Sequence, residues 1–387
     1  MRFAPLRGVD ESYGKGFPKK RKLRVAIVAP TLRILGGHSI QAQHLLAGWS
    51  TDDDVDAWLV PINPAPPEPF ARLLKIKYLR TVITQLLYWP QLLVELSRAD
   101  VVHVFSASYS SFLLSPLPAI LVARLLHRPV VLNYHSGEAD DHLTKSAFAR
   151  SIISGCERIV VPSKYLVDVF ARHGLEAVAI PNAIDRGRFA FRDRRPLRPR
   201  LLSVRNFESL YNVACTLKAF RLVQKSWPNA TLTLVGAGSE DVMLRRLADE
   251  LELDGVTFIG RLSPERMPEC YAAHDIYIQT PNIDNMPISV LEAYACGLPV
   301  VSTEAGGVPA IVAHGHTGLL APLDDHLAVA ARVLLLLEQP GVAGELVQHA
   351  REACDAYTWP AVREQWLGEY RRAHQSGAMD VAVAGAK

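Results

Sequence analysis

Short, almost uninterrupted apolar runs recur along the chain at residues 23–30, 55–60, 101–105, 130–134 and 159–161, each too short for a helix and rich in β-branched side chains. Continuous apolar runs belong to strands covered on both faces, and stretches with helical periodicity separate them. The alternation restarts after Pro181-Asn182, with strands expected at 200–204, 230–235, 256–259, 276–279 and 299–302. Helices are expected between them near 213–225, 242–251, 264–273 and 287–296, and a last helical stretch starts at Trp359. This pattern predicts an α/β protein with two doubly wound, Rossmann-like domains whose carboxyl strand ends face one crevice. The expected divisions are a disordered basic tail over 1–22, a first domain over 23–185, an arginine-rich linker over 186–200 and a second domain over 201–358. A helix over 359–375 and a flexible tail over 376–387 follow.

A length of 387 residues and a hydrophobic content of 49% agree with two folded domains and exclude a disordered chain. The net charge of +3 indicates no nucleic-acid partner, but its distribution is uneven. Residues 1–185 carry 21 basic and 16 acidic side chains, residues 186–200 carry 7 and 1, and residues 201–387 carry 14 and 22, giving +5, +6 and −8. A basic first half suits something anionic, either a membrane surface or a phosphorylated substrate. Five scattered cysteines without a C-x-x-C pair point to a reducing compartment and neither to disulfides nor to zinc. No apolar run approaches the roughly 18 residues of a spanning helix, so a cytoplasmic protein, peripheral at the inner membrane surface, is expected.

The most informative stretch is 284–301. Pro287 suits a helix start, Gly297 a helix stop, and a strand follows at once. The turn Asp284-Asn285-Met286-Pro287-Ile288-Ser289 would present free backbone N–H groups and the positive end of a helix dipole to the crevice, a site for a diphosphate. Glu292, an acceptor-only carboxylate about one and a half turns in, could grip a ribose diol, with Asp284 reaching sugar hydroxyls.

Two acids eight residues apart around such a turn resemble the signature of family 4 glycosyltransferases, retaining enzymes of the GT-B type. Further similarities run over about residues 23–372: Gly36-Gly37, His135, Val161-Pro162-Ser163, Pro181-Asn182-Ala183-Ile184-Asp185, Gly236-Ala237-Gly238, Gly306-Gly307-Val308-Pro309 and Gly315-His316-Thr317-Gly318. The resemblance implies that Arg205 meets the donor diphosphate and Glu292 the ribose, while Ile288 and Ser289 offer amides. Gly36 and Gly37 would close over the phosphate, and His135 would meet the sugar near its reacting carbon. Gly260 and Arg261 would recognise the base through backbone groups, Asp284 would orient the sugar, and the last helix would cross back to the first domain. No metal cluster is expected. The donor implied is a nucleotide-diphosphate sugar, a UDP- or GDP-sugar first, and the acceptor a glycan, lipid-linked or small-molecule hydroxyl.

Two positions depart from the family pattern. The Lys about five residues after the phosphate-binding Arg is absent, because Arg205 is followed by Asn206-Phe207-Glu208-Ser209-Leu210-Tyr211-Asn212. Asp284 also stands where Glu is common. The lost cation keeps open a catalytically silent GT-B protein acting as a binding or scaffold partner, beside a sugar-nucleotide epimerase or glycan phosphorylase. The acceptor is unread, although Arg72, Lys75, Lys77 and Arg80 interleave apolar residues ahead of Tyr88-Trp89-Pro90. That stretch suits either a helix packed on the sheet or one lying on an anionic bilayer.

Overall fold

The computed structural model describes residues 21–34, 36–65 and 76–385, without the side chains of 77, 78 and 378–385. The basic tail up to residue 20, residues 70–75 of the basic stretch and residues 386–387 lie outside the described residues. The first sheet contains β1 (Leu23–Ala29), β2 (Val55–Pro61), β3 (Val101–Ser106), β4 (Val130–Tyr134), β5 (Arg158–Val161) and β6 (Val178–Ala179), in the order 2-1-3-4-5-6. The second contains β7 (Arg200–Val204), β8 (Thr231–Val235), β9 (Val256–Gly260), β10 (Ile276–Ile278), β11 (Val300–Thr303) and β12 (Leu319–Ala321), in the order 12-11-10-7-8-9. Neighbouring strands are parallel throughout both sheets.

Each sheet is covered on both faces, as its continuous apolar strands require. In β1, Val25, Ile27 and Ala29 pack under the helix Gly37–Trp49 and the final helix Trp359–Gly385, while Ala26 and Val28 face Tyr88, Leu92 and Ile120 on the other side. The chain reverses its direction of strand addition between β1 and β3 and between β7 and β10. Open α/β sheets bind ligands at the carboxyl ends of strands at such a switch, and here both switches face the same crevice.

The expected linker is part of the second domain. Phe189 and Leu197 are buried in its cores, and Arg192, Arg194, Arg198 and Arg200 surround the buried carboxylate of Asp275. Burial opposes ionisation of Asp275, but the hydrogen bond from Arg198 and the charges of Arg192 and Arg200 outweigh it and hold the group below the usual carboxylate range. The final helix crosses back to the first domain. Arg363 bridges Asp52 and Asp54, Arg158 pairs with Glu369 at 2.5 Å, and Tyr370 Oη lies 2.7 Å from His103 Nδ1. The tail expected from 376 is helical as far as Gly385. The helices His326–Glu338 and Pro340–Ala353, which the motif reading left without structure, complete the second domain.

Candidate active site

A crevice of about 420 Å³ opens between the two sheets. On its first-domain side, the helix Gly37–Trp49 begins directly after Gly36 and aims its amino-terminal end into the opening. A Cβ at Gly36 or Gly37 would meet no protein atom within 4 Å, so packing does not demand glycine at either position. What the pair keeps clear is the crevice itself. His135 follows β4 and stacks on Phe105 at 5.3 Å, with the His38 ring edge-on at 5.3 Å. Burial, reinforced by His38 and His103, holds the His135 imidazole well below its ordinary value, and burial brings His38 to about 4. Both rings are therefore neutral at physiological pH, and His135 Nε2 is buried with no hydrogen-bond partner.

On the opposite side Arg205, immediately after β7, lies over the Tyr211 ring at 4.9 Å and forms an ion pair with Asp284. The second Asp284 oxygen accepts the Asn285 N–H at 2.7 Å. The acid expected to orient a sugar is thus engaged by the arginine expected to hold phosphate. Its loop is supported from both domains. Gly307 N–H donates to Asp284 O at 3.1 Å, and Gly306 adopts a φ of +50° where a Cβ would stand 2.2 Å from that same oxygen. Ser163 hydrogen-bonds Asn285, and Asn182 Nδ2 donates to Met286 O at 3.0 Å. The motifs Val161-Pro162-Ser163, Pro181-Asn182 and Gly306-Gly307 therefore support the acid loop from below and from across the crevice.

The helix Ile288–Cys296 starts one residue after Pro287, so Glu292 stands just over one turn in, slightly earlier than expected. Tyr271 Oη donates to its carboxylate at 2.8 Å. Burial raises Glu292 to about 7, and the Tyr271 hydrogen bond and the Arg188 charge oppose part of that rise. Arg205 Nε, Asn285 Nδ2 and Ser289 Oγ are buried without hydrogen-bond partners. With His135 Nε2 they make four unsatisfied polar atoms on residues that line one crevice, which marks a place built for a polar ligand.

Arg261 lines the crevice, but Gly260 does not. Its carbonyl accepts the Gly236 N–H at 2.9 Å. At the position of the missing Lys, Leu210 lines the crevice, and the cationic side chains there are Arg188, Arg205 and Arg261. The sequence reading missed His38, Arg188 and Tyr271. His38 carried a signal, since it directly follows the glycine pair, and Arg188 was hidden in the arginine cluster. Tyr271 had none, because its contact with Glu292 spans 21 residues.

Two family models match in succession: Glycosyltransferase Family 4 over residues 36–188 and Glycosyl transferases group 1 over residues 189–353. The chain is 27% identical over 218 residues to N-acetyl-alpha-D-glucosaminyl L-malate synthase of Bacillus anthracis, a match covering 54% of each chain, so it spans about half of that relative's length. It is 27% identical over 301 residues to phosphatidyl-myo-inositol mannosyltransferase of Mycolicibacterium smegmatis, covering 74% of each. Among solved structures, HepE of Anabaena in complex with UDP and glucose superposes with a TM-score of 0.71 over 90% of this chain and 99% of its own, at 16% identity. That last likeness speaks for the fold.

Proposed function

Because the chain belongs to the group 1, family 4 glycosyltransferases, we propose that it moves a sugar from a nucleotide-diphosphate donor, UDP-linked in the first instance, to an acceptor hydroxyl with retention of configuration. The observation that carries this reading is the set of four unsatisfied buried polar atoms between two helix amino termini. The helix ends and Arg205 favour a diphosphate, and the ionised Glu292 accepts hydrogen bonds from ribose hydroxyls. The UDP and glucose bound by HepE favour a uridine donor here. The malate and phosphatidylinositol acceptors named for the two relatives favour a small or lipid-linked hydroxyl compound.

In the proposed reaction the bond from the anomeric carbon to the phosphate oxygen breaks as the acceptor oxygen bonds to that carbon from the same face, and the acceptor proton passes to the leaving phosphate. Neutral His135 has an unpaired ring nitrogen available to a sugar hydroxyl, and Arg205 stabilises charge growing on the diphosphate. In this reading helix dipoles and Arg205 carry that charge.

Release of UDP from a UDP-sugar, measured with and without candidate acceptors, tests the reading, with NMR of the product giving the anomeric outcome. Activity unchanged in both Arg205→Ala and Glu292→Ala would remove the assigned site, and an inverted anomer would remove retention. Leu210 and the Arg205–Asp284 pair favour the second reading, a silent binding protein, which predicts nucleotide binding with no release under any condition.

A further inference from the structure

The helix Lys77–Ser97, which joins β2 to β3, carries three strips where a solvated surface helix needs two. Tyr88, Leu92 and Leu96 are buried against the sheet. Arg80, Thr84, Gln91, Glu95 and Arg98, spaced by four, seven, four and three residues, form a polar strip. A third strip of Leu79, Val82, Leu86, Trp89 and Leu93 is between 37% and 69% exposed. Gln85 donates to Leu114 O at 2.8 Å and Tyr88 to Ser115 O at 3.0 Å, which brings the next helices alongside. There Leu113, Leu114, Leu121 and Leu125 are exposed as well. Of the 20 large hydrophobic side chains exposed among the described residues, 11 fall within residues 76–125. Apolar exposure is therefore gathered on one face of the first domain, whereas scattered single residues would need no explanation.

Charge identifies the occupant. Among the described side chains, residues 76–130 hold four basic ones, Arg80, Arg98, Arg124 and Arg128, against Glu95 and Asp100. Asp100 is paired with Arg21 and Arg24, and Glu95 with Arg98. We propose that this face docks on an anionic lipid bilayer, with the helix Lys77–Ser97 in the interface plane, its exposed apolar strip, Trp89 included, among the acyl chains, and Arg80, Arg98, Arg124 and Arg128 at the headgroups. The contact is peripheral, since no single described helix is long and apolar enough to cross a membrane. In a parallel sheet each helix returns from the carboxyl ends of the strands, so Leu79, Leu113 and Leu114 lie toward the crevice end of the face. A lipid-linked acceptor in that bilayer would then stand near the crevice, an assignment that rests on the transferase reading, whereas the docking does not.

Flotation of the full chain with vesicles tests this. The protein is expected to float with phosphatidylglycerol–phosphatidylcholine vesicles and not with phosphatidylcholine alone. Binding should fall at least about tenfold in the double variant Leu86→Gln, Trp89→Gln, whose side chains are removed from the apolar strip. UDP-dependent thermal stabilisation of that variant should match the wild type, which separates lost docking from misfolding. No flotation of the wild type, equal flotation of the double variant, or a wild-type dimer that the variant loses would each overturn the proposal, the last assigning the strip to a second copy. Absence of any nucleotide response in the wild type would instead sink the donor reading and leave the flotation result standing.

Discussion

Glu292 and Leu210 set the chemistry of the crevice at the scale of single residues. Glu292 sits at about 7 through burial, and only its ionised form accepts hydrogen bonds from a ribose through both oxygens. Nucleotide affinity should therefore be constant above about pH 8 and decline as pH falls through 7, by up to about tenfold per unit. The same shift has a sign for stability. The carboxyl is neutral in folded and unfolded chains below its ordinary 4.5, and the burial penalty grows between 4.5 and about 7 and is complete above. Glu292→Gln should flatten the affinity profile and weaken UDP binding by roughly 1.5–3 kcal/mol in titration calorimetry. Leu210→Lys places a cation beside the proposed diphosphate position and should tighten UDP by about tenfold, the size of one charge-assisted hydrogen bond. A slope that persists in Glu292→Gln would assign the pH dependence to another group.

Two elements, the linker and the acid loop, show how local sequence becomes rigid structure. Asp275→Ala leaves Arg192, Arg194, Arg198 and Arg200 converging without a counter-ion and should cost about 3–5 kcal/mol in denaturant unfolding. Gly306→Ala places a Cβ against Asp284 O in a left-handed backbone conformation. It should cost about 1–3 kcal/mol and reduce turnover more than UDP affinity, because it displaces Asp284, proposed to orient the sugar, and not Glu292, proposed to hold the ribose. Most strands were legible because their apolar runs are continuous and bounded by turn residues. β6 and β12, with two and three residues, are too short to show a period. The arginine cluster was legible as a cluster but not in its purpose: its partner Asp275 lies about 80 residues away in an apolar context, where one acid carries no pattern. The crevice acids and glycines were marked by their resemblance to the family pattern, and they line the crevice. The Arg205–Asp284 pair was not legible, since the resemblance assigns each residue to a ligand and only the fold brings the two together.

At the scale of the whole molecule, the final helix ties the domains into one unit. Ile184 N–H donates to Tyr357 O at 2.8 Å, so the outgoing and returning crossovers run side by side, and Trp366 and Tyr370 are then buried on the first sheet. Trp366→Ala should destabilise the protein by about 3–5 kcal/mol and shift the unfolding of both domains together. On the proposed function, this joined frame holds a nucleotide diphosphate between Arg205 and Glu292. The most direct test is thermal unfolding of the wild type, Arg205→Ala and Glu292→Ala with UDP, GDP and ADP. A ligand at 100 times its dissociation constant adds about 2.7 kcal/mol, so a selective rise with one nucleotide, UDP first, that both substitutions diminish is expected. An equal rise in all three proteins, or none with any nucleotide, would contradict it.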